Sequence, residues 1–215
     1  SFKVKAKYKK NYSVDNIIAY IPGSSEECIV FIAHYDHVGK MGKKVYFPGA
    51  HDNASGVAAL LDFAEYYKDV DNKYTKVFIF FAAEELGLQG SEFFVKNPIF
   101  DLNKIKLVIN LDMIGTGDDG IGVVIGEVGD DKNIKYIFDS INTKLEIFDE
   151  ISFSENMRPN SDHYHFYEKK INSMFMFTKG ENSFYHSIDD TYENLNFFAY
   201  KDLFKLITNF IDNYE

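Results

Sequence analysis

Short apolar runs alternate along the chain with segments of a longer period, and this alternation predicts its organisation. The runs Asn16–Ile21, Cys28–Ala33, Lys76–Ala82, Ile105–Asp112, Ile121–Ile125 and Ser173–Phe177 are rich in Val, Ile and Phe and predict strands. Several are apolar on both faces, as a sheet covered from both sides requires. Between them the period becomes helical. After Ser55, Val57, Leu60, Leu61 and Ala64 recur at helical spacing, and near the end Phe197, Tyr200, Phe204, Ile207 and Ile211 do the same. Both stripes predict helices that turn these residues to the core. The alternation predicts an α/β fold, a three-layer α/β/α sandwich around a mixed, mostly parallel central sheet. No internal repeat and no Pro/Ser-rich linker interrupts it, and 215 residues lie within the size of one domain, so 1–215 is read as a single domain.

Composition narrows the class of protein. Hydrophobic residues at 46%, aromatics at 17% and only four prolines exclude a disordered, collagen-like or low-complexity chain. The net charge is −10, and the one basic run, Lys3, Lys5, Lys7, Lys9 and Lys10, reads as a solvated strand face or tail, which disfavours a nucleic-acid partner. Cys28 is the sole cysteine, which excludes a disulfide framework or a thiolate zinc cluster and reads as a packed core thiol. No apolar stretch approaches the length that spans a membrane. Ser1 in place of Met reads as a processed or trimmed start.

The polar residues that matter follow the predicted buried strands. Cys28–Ala33 runs into His34-Tyr35-Asp36-His37, Lys76–Ala82 into Ala83-Glu84-Glu85, and Ile105–Leu111 into Asp112. In an open α/β sheet, ligands bind beyond the carboxyl ends of the strands. One charged strand end would only be meeting solvent. Three together, with Asp52 just before a helix and His186 near the end, point to metal. His34, Asp52, Glu85, Asp112 and His186 supply two imidazoles and three carboxylates, the donors zinc takes, and sharing Asp52 between two zincs gives each three protein ligands and a free position. Their wide spacing is unlike the tight pairs of structural zinc sites and suits a site assembled from loops.

Other patterns carry less. Gly115-Thr116-Gly117-Asp118-Asp119-Gly120 satisfies the dinucleotide fingerprint, yet a strand follows it where a helix is needed, and two aspartates would repel a pyrophosphate. Asn53-Ala54-Ser55 and Asn11-Tyr12-Ser13 fit the glycosylation pattern, which is common by chance.

The segments Ala33-His34-Tyr35-Asp36-His37, Gly49-Ala50-His51-Asp52-Asn53-Ala54-Ser55-Gly56, Phe80-Phe81-Ala82-Ala83-Glu84-Glu85-Leu86-Gly87, Asn110-Leu111-Asp112-Met113-Ile114-Gly115, Ser161-Asp162-His163 and His186-Ser187-Ile188-Asp189-Asp190-Thr191 carry a resemblance. In this order they resemble the co-catalytic di-zinc aminopeptidase family, which includes secreted bacterial leucyl aminopeptidases and is related to glutamate carboxypeptidase II and the glutaminyl cyclases. The likeness runs from about residue 14 to 196 and leaves no room for a large inserted domain.

The resemblance implies a zinc-peptidase catalytic domain with two Zn2+ per chain. Asp52 would bridge them, His34 and Asp112 completing one and Glu85 and His186 the other, with Glu84 as general base. It also implies a cis peptide after Asp52. Asp36 would fix the His34 ring from behind. Asp190 would do the same for His186, or else serve as a loop or cap aspartate. Tyr185 matches a tyrosine that some members use to hydrogen-bond the developing oxyanion, and it equally suits simple packing beside a ligand. Arg158 is a weaker candidate for the same end or for a substrate carboxylate. His37, His51, His163 and His165 are read as pocket-lining or surface residues.

The implied function is hydrolysis of the N-terminal peptide bond of peptides with a free N-terminus. The alternatives are a glutaminyl cyclase, which works one zinc on the same scaffold, and a non-catalytic binding domain. Both metal sets and Glu84 favour the peptidase. The resemblance favours an extracytoplasmic location, while the preferred first residue and the oligomeric state have no signature in the sequence.

Overall fold

The computed structural model describes residues 12–128, 133–180 and 184–214. Lys3, Lys5, Lys7, Lys9, Lys10 and Asn11 lie outside the described residues. The strands are β1 (Ile17–Ile21), β2 (Ser25–His34), β3 (Lys40–Met41), β4 (Val45–Tyr46), β5 (Tyr74–Phe81), β6 (Ile105–Leu111), β7 (Ile121–Gly126), β8 (Ile151–Ser154) and β9 (Ser173–Thr178). The helices are α1 (Ser55–Tyr67), α2 (Gln89–Lys96), α3 (Ile134–Leu145), α4 (His163–Glu168) and α5 (Tyr200–Tyr214).

Seven strands form one sheet in the order β1-β5-β2-β6-β9-β7-β8. β5, β2, β6 and β9 are mutually parallel; β1 and β7 run antiparallel to β5 and β9, and β8 is parallel to β7. The expected mixed, mostly parallel sheet is therefore present, with β3 and β4 as a separate hairpin.

Alternation along β2 explains the layers. Ile29, Phe31 and Ala33 face one way, into the core that α1, α3 and α5 cover, while Cys28, Val30 and Ile32 face the other, into the core shared with Phe94 and Val95 of α2 and Phe166 of α4. Phe31 stacks between Phe63 of α1 and Phe78 of β5 at centroid distances of 4.9 and 5.3 Å, and Phe204 of α5 covers Phe63 at 4.4 Å. Burial raises the pKa of the Cys28 thiol to about 11, so it is a core thiol as expected.

Two stripe positions differ from expectation. Leu61 is 58% exposed, because the buried arc of α1 runs through Ala59, Leu60, Phe63 and Tyr67 and leaves Leu61 on its flank. Phe197 precedes α5 in a left-handed conformation (φ 50°), and Leu203, Leu206 and Phe210 complete that helix's buried face instead. No helix among the described residues is long and apolar enough to cross a membrane.

The Phe31–Phe63–Phe204 stack ties the central strand to two helices, so Phe63→Ala should cost about 3–5 kcal/mol in urea denaturation. A loss below about 1 kcal/mol would show that α1 is anchored elsewhere.

Candidate metal centre

The carboxyl ends of three parallel strands converge on one edge. His34, the last residue of β2, lies in register with Phe81, the last of β5, and the Tyr35 amide donates to the Phe81 carbonyl at 2.9 Å. The chain leaving β5 thus carries Glu84 and Glu85 beside His34. β6 pairs with the opposite side of β2 and delivers Asp112. Asp52 comes from an irregular turn, Ala50–Ala54, ahead of α1, and its bond to Asn53 is cis.

This turn is fastened to the end of β6. The Asn53 side-chain amide donates to the Leu111 carbonyl at 3.0 Å and its oxygen accepts from the amides of Gly56 and Met113. A Cβ on Gly56 would lie 2.2 Å from the Leu111 carbonyl oxygen, so only glycine lets α1 start this close to the strand. Ala83, Met113 and His186 all have positive φ, near 58°, 61° and 52°. Each is a side-chain-bearing residue in the left-handed region, at a cost of about 1–3 kcal/mol; Ala83 adjoins Glu84, Met113 adjoins Asp112, and His186 is itself a candidate ligand.

Two groups of donors result. His34, Glu84 and Asp112 form one; His37, Asp52, Glu85 and His186 form the other, with the donor atoms of each within 4.8 Å of one another. Asp52 faces both. Its Oδ1 lies 3.2 Å from His34 Nε2, and its Oδ2 lies 3.2 Å from His186 Nε2. His34 Nε2 is also 3.4 Å from Asp112 Oδ1, and His186 Nε2 is 3.1 Å from Glu85 Oε2. The chemistry of this donor set, imidazole nitrogen with carboxylate oxygen, suits zinc. Asp112 Oδ1 and Glu85 Oε1 are buried and accept no hydrogen bond, which fits oxygens that serve a cation.

Two aspartates, Asp36 half-buried and Asp190 buried, hold the loops by their backbone. Asp36 accepts from the amides of Glu84 and Glu85 at 3.0 and 3.2 Å, one on each oxygen. Asp190, fully buried, accepts from the amides of His51 and Asp52 at 2.7 and 3.1 Å in the same way. The expected partnerships are therefore redirected. His34 Nδ1 is bonded by the Asp36 backbone carbonyl at 3.0 Å, with the Asp36 carboxylate at 3.9 Å, and Asp190 supports the turn that carries Asp52 instead of the His186 ring. Asp112 Oδ2 accepts from the Ser161 hydroxyl at 2.7 Å, and the Asn110 amide contacts that hydroxyl at 2.6 Å.

Charge crowding shifts the titrating groups. Burial, with Asp112, Asp162 and Glu85 nearby and His34 opposing, raises the pKa of Glu84 to about 8. Burial opposes the charged form of His34, but Asp112 and Asp52 outweigh it and leave its pKa well above the usual value. Burial would also raise Asp112 and Glu85, yet His34 and Ser161 hold the first low, and His37 and His186 the second. The Tyr185 ring stacks on His186 with centroids 3.9 Å apart, and burial and the carboxylates raise its phenol to about 12.

Of the remaining histidines, His37 is the one that joins the cluster. His51 is buried and accepts from the Gly115 amide at 3.1 Å, His163 is buried against Phe175, and His165 pairs with Glu168. Arg158 is exposed. A cavity of about 580 Å³ lined by Met113, Asn160, Phe175, Phe177 and Thr178 opens one residue from Asp112.

The sequence model of a family described as Peptidase family M28 matches residues 16–211. Aminopeptidase YwaD of Bacillus subtilis (strain 168) is 33% identical over 175 residues, 78% of this chain and 37% of that one. The structure of BSAP, a zinc aminopeptidase from Bacillus subtilis, superposes with a TM-score of 0.76 at 28% identity, over 93% of this chain and 49% of the other. An Acidobacteriales bacterium glutaminyl cyclase superposes with a TM-score of 0.67 at 20% identity, over 92% and 72%, a likeness of fold alone. The chain thus spans about a third to a half of the length of these two aminopeptidases.

Asp190→Ala strands two buried backbone amides, so it should cost about 2–5 kcal/mol in denaturation with chelator present, which separates the hydrogen bonds from any bound metal. The exposed neighbour Asp189, changed to Ala, should stay within about 0.5 kcal/mol of the parent. Equal effects would mean that Asp190 does not secure the turn.

Proposed function

The chain belongs to peptidase family M28, and from that premise we propose that it is a zinc-dependent aminopeptidase acting on peptides with a free N-terminus. The observation that carries the reading is Asp52, whose two oxygens face two different imidazole and carboxylate groups at the ligand-binding edge of the sheet. In this reading His34 and Asp112 would hold one zinc and Glu85 and His186 another, with Asp52 available to both. A zinc pair supplies Lewis-acid polarisation of a carbonyl and acidification of a water.

The chain's own groups do the rest. Glu84 takes the proton of the attacking water as its oxygen bonds to the peptide carbonyl carbon. It then gives that proton to the amine nitrogen as the C–N bond breaks. A half-buried carboxylate with a raised pKa is suited to both halves of this transfer. Tyr185 stays protonated at neutral pH and donates its phenol hydrogen to the developing oxyanion. The surplus of carboxylates attracts the substrate's α-ammonium group, which restricts cleavage to the first residue. Met113, Phe175 and Phe177 offer the first side chain an apolar wall.

Release of nitroaniline from aminoacyl nitroanilides, lost on chelation and regained with zinc, is the expected result. Ammonia release from a peptide with N-terminal glutamine, without nitroanilide cleavage, would replace this reading with the cyclase.

The adjacent glutamates should separate. Glu84→Gln should keep its zinc and lower turnover by about 10²–10⁴-fold, the usual contribution of a general base. Glu85→Gln should lose zinc and regain part of its activity in excess metal. Metal content and turnover of both variants check the assignment; the reverse pattern would exchange the roles.

A further inference from the structure

We propose that Lys179 selects peptides with an acidic first residue, glutamate ahead of aspartate, by pairing its ammonium with the side-chain carboxylate at the far end of the apolar pocket beside Asp112. The inference rests on the aminopeptidase reading above and names the substrates of that same site. Its grounds are the position of one cation and what surrounds it.

The cavity of about 580 Å³ is apolar where Met113, Phe175 and Phe177 line it, and Lys179 is the one cationic side chain among its lining residues. Alternation along β9 turns Phe175, Phe177 and, one step past the strand, Lys179 to the same face. The ladder carries on that far, because the Lys179 amide donates to the Gly120 carbonyl at 2.8 Å. Leu111 pairs with Met176, which sets Asp112 level with Phe177. Lys179 thus stands two residues, about 6.6 Å, beyond that candidate metal ligand along the strand. A first side chain entering beside Asp112 meets phenyl rings and then an ammonium. Glutamate spans more of that interval than aspartate does.

The ammonium is held in place without being neutralised. Lys179 Nζ donates to the Ser152 hydroxyl of β8 at 2.9 Å, and no ion pair engages it among the described residues. Ser152 and Phe177 both lie opposite Gly122 of β7, so the lysine reaches Ser152 across the pocket's own face of the sheet. A Cβ on Gly122 would fall 2.2 Å from Phe177 Cζ, and glycine there lets the ring lie over β7. An ammonium has three donors, of which the uncharged hydroxyl takes one. Asp119 also lines the cavity, but it meets Lys179 through the backbone, its amide donating to the Lys179 carbonyl at 3.3 Å. Arg158, two residues before Asn160, is exposed and outside the lining. A carboxylate entering the pocket would give the ammonium its counter-charge and a charge-assisted hydrogen bond while its stem covers the phenyl rings. Without that cation, the carboxylates at this edge would repel such a side chain.

Initial rates of the zinc-loaded chain on glutamyl, glutaminyl and leucyl nitroanilides test this, because glutamate and glutamine differ in charge at nearly equal size. The glutamyl substrate should exceed the glutaminyl one in kcat/KM by about 10–100-fold, the range of a hydrogen bond to a charged group. Lys179→Met should abolish that preference and raise leucyl cleavage relative to both, while Lys179→Arg should keep it. Leucyl cleavage by a parent chain that does not favour glutamyl over glutaminyl, or a preference that Lys179→Met leaves unchanged, would overturn the inference and leave the aminopeptidase reading intact. Cleavage of none of the three would overturn both. The preference of the unaltered chain decides the matter even if a variant fails to fold.

Discussion

Repulsion between carboxylates governs this structure. Asp36, Asp52, Glu84, Glu85, Asp112, Asp162 and Asp190 crowd the same sheet edge, and Asp52, Asp112, Asp162 and Asp190 are buried. Two like charges 4 Å apart repel by about 4 kcal/mol at an effective dielectric of 20. The ion pairs at this edge run to His34, His37 and His186. Protons on His34, His37 and Glu84 relieve the crowding in the free chain, and divalent cations would take the place of the imidazole protons.

The fold tolerates this by assigning different compensation to different carboxylates. Asp36 and Asp190 each receive two successive backbone amides, which fixes the loops that bear Glu84, Glu85 and Asp52. Asp112 is half-satisfied by Ser161, leaving one oxygen free. Asp52 sits just ahead of α1, where the helix dipole favours negative charge. Oxygens facing the two donor groups are thus kept available while those behind them are consumed.

The sequence conveys this unevenly. The parallel strands were legible because a long apolar run has few alternatives, and the strand-end His, Glu and Asp followed once the sheet was placed. β8 reads as polar because Ser152 and Ser154 alternate with its apolar residues, and two-residue strands such as β3 have no period at all. The backbone roles of Asp36 and Asp190 leave no trace in residue types, since their partners are amides that every residue has. The place of His37 beside Glu85 depends on Gly49 and on the turn beyond it, and the spacing His34-x-x-His37 directly after a buried strand is its only signal in the sequence.

The central claim is that the divided carboxylate cluster is a site for two cations that share Asp52. Anomalous diffraction at the zinc edge, from crystals of the zinc-loaded chain, tests it most directly. The account predicts two peaks, one on each side of Asp52 and about 3.5–4 Å apart. A single peak at full loading, or peaks away from Asp52, would contradict it.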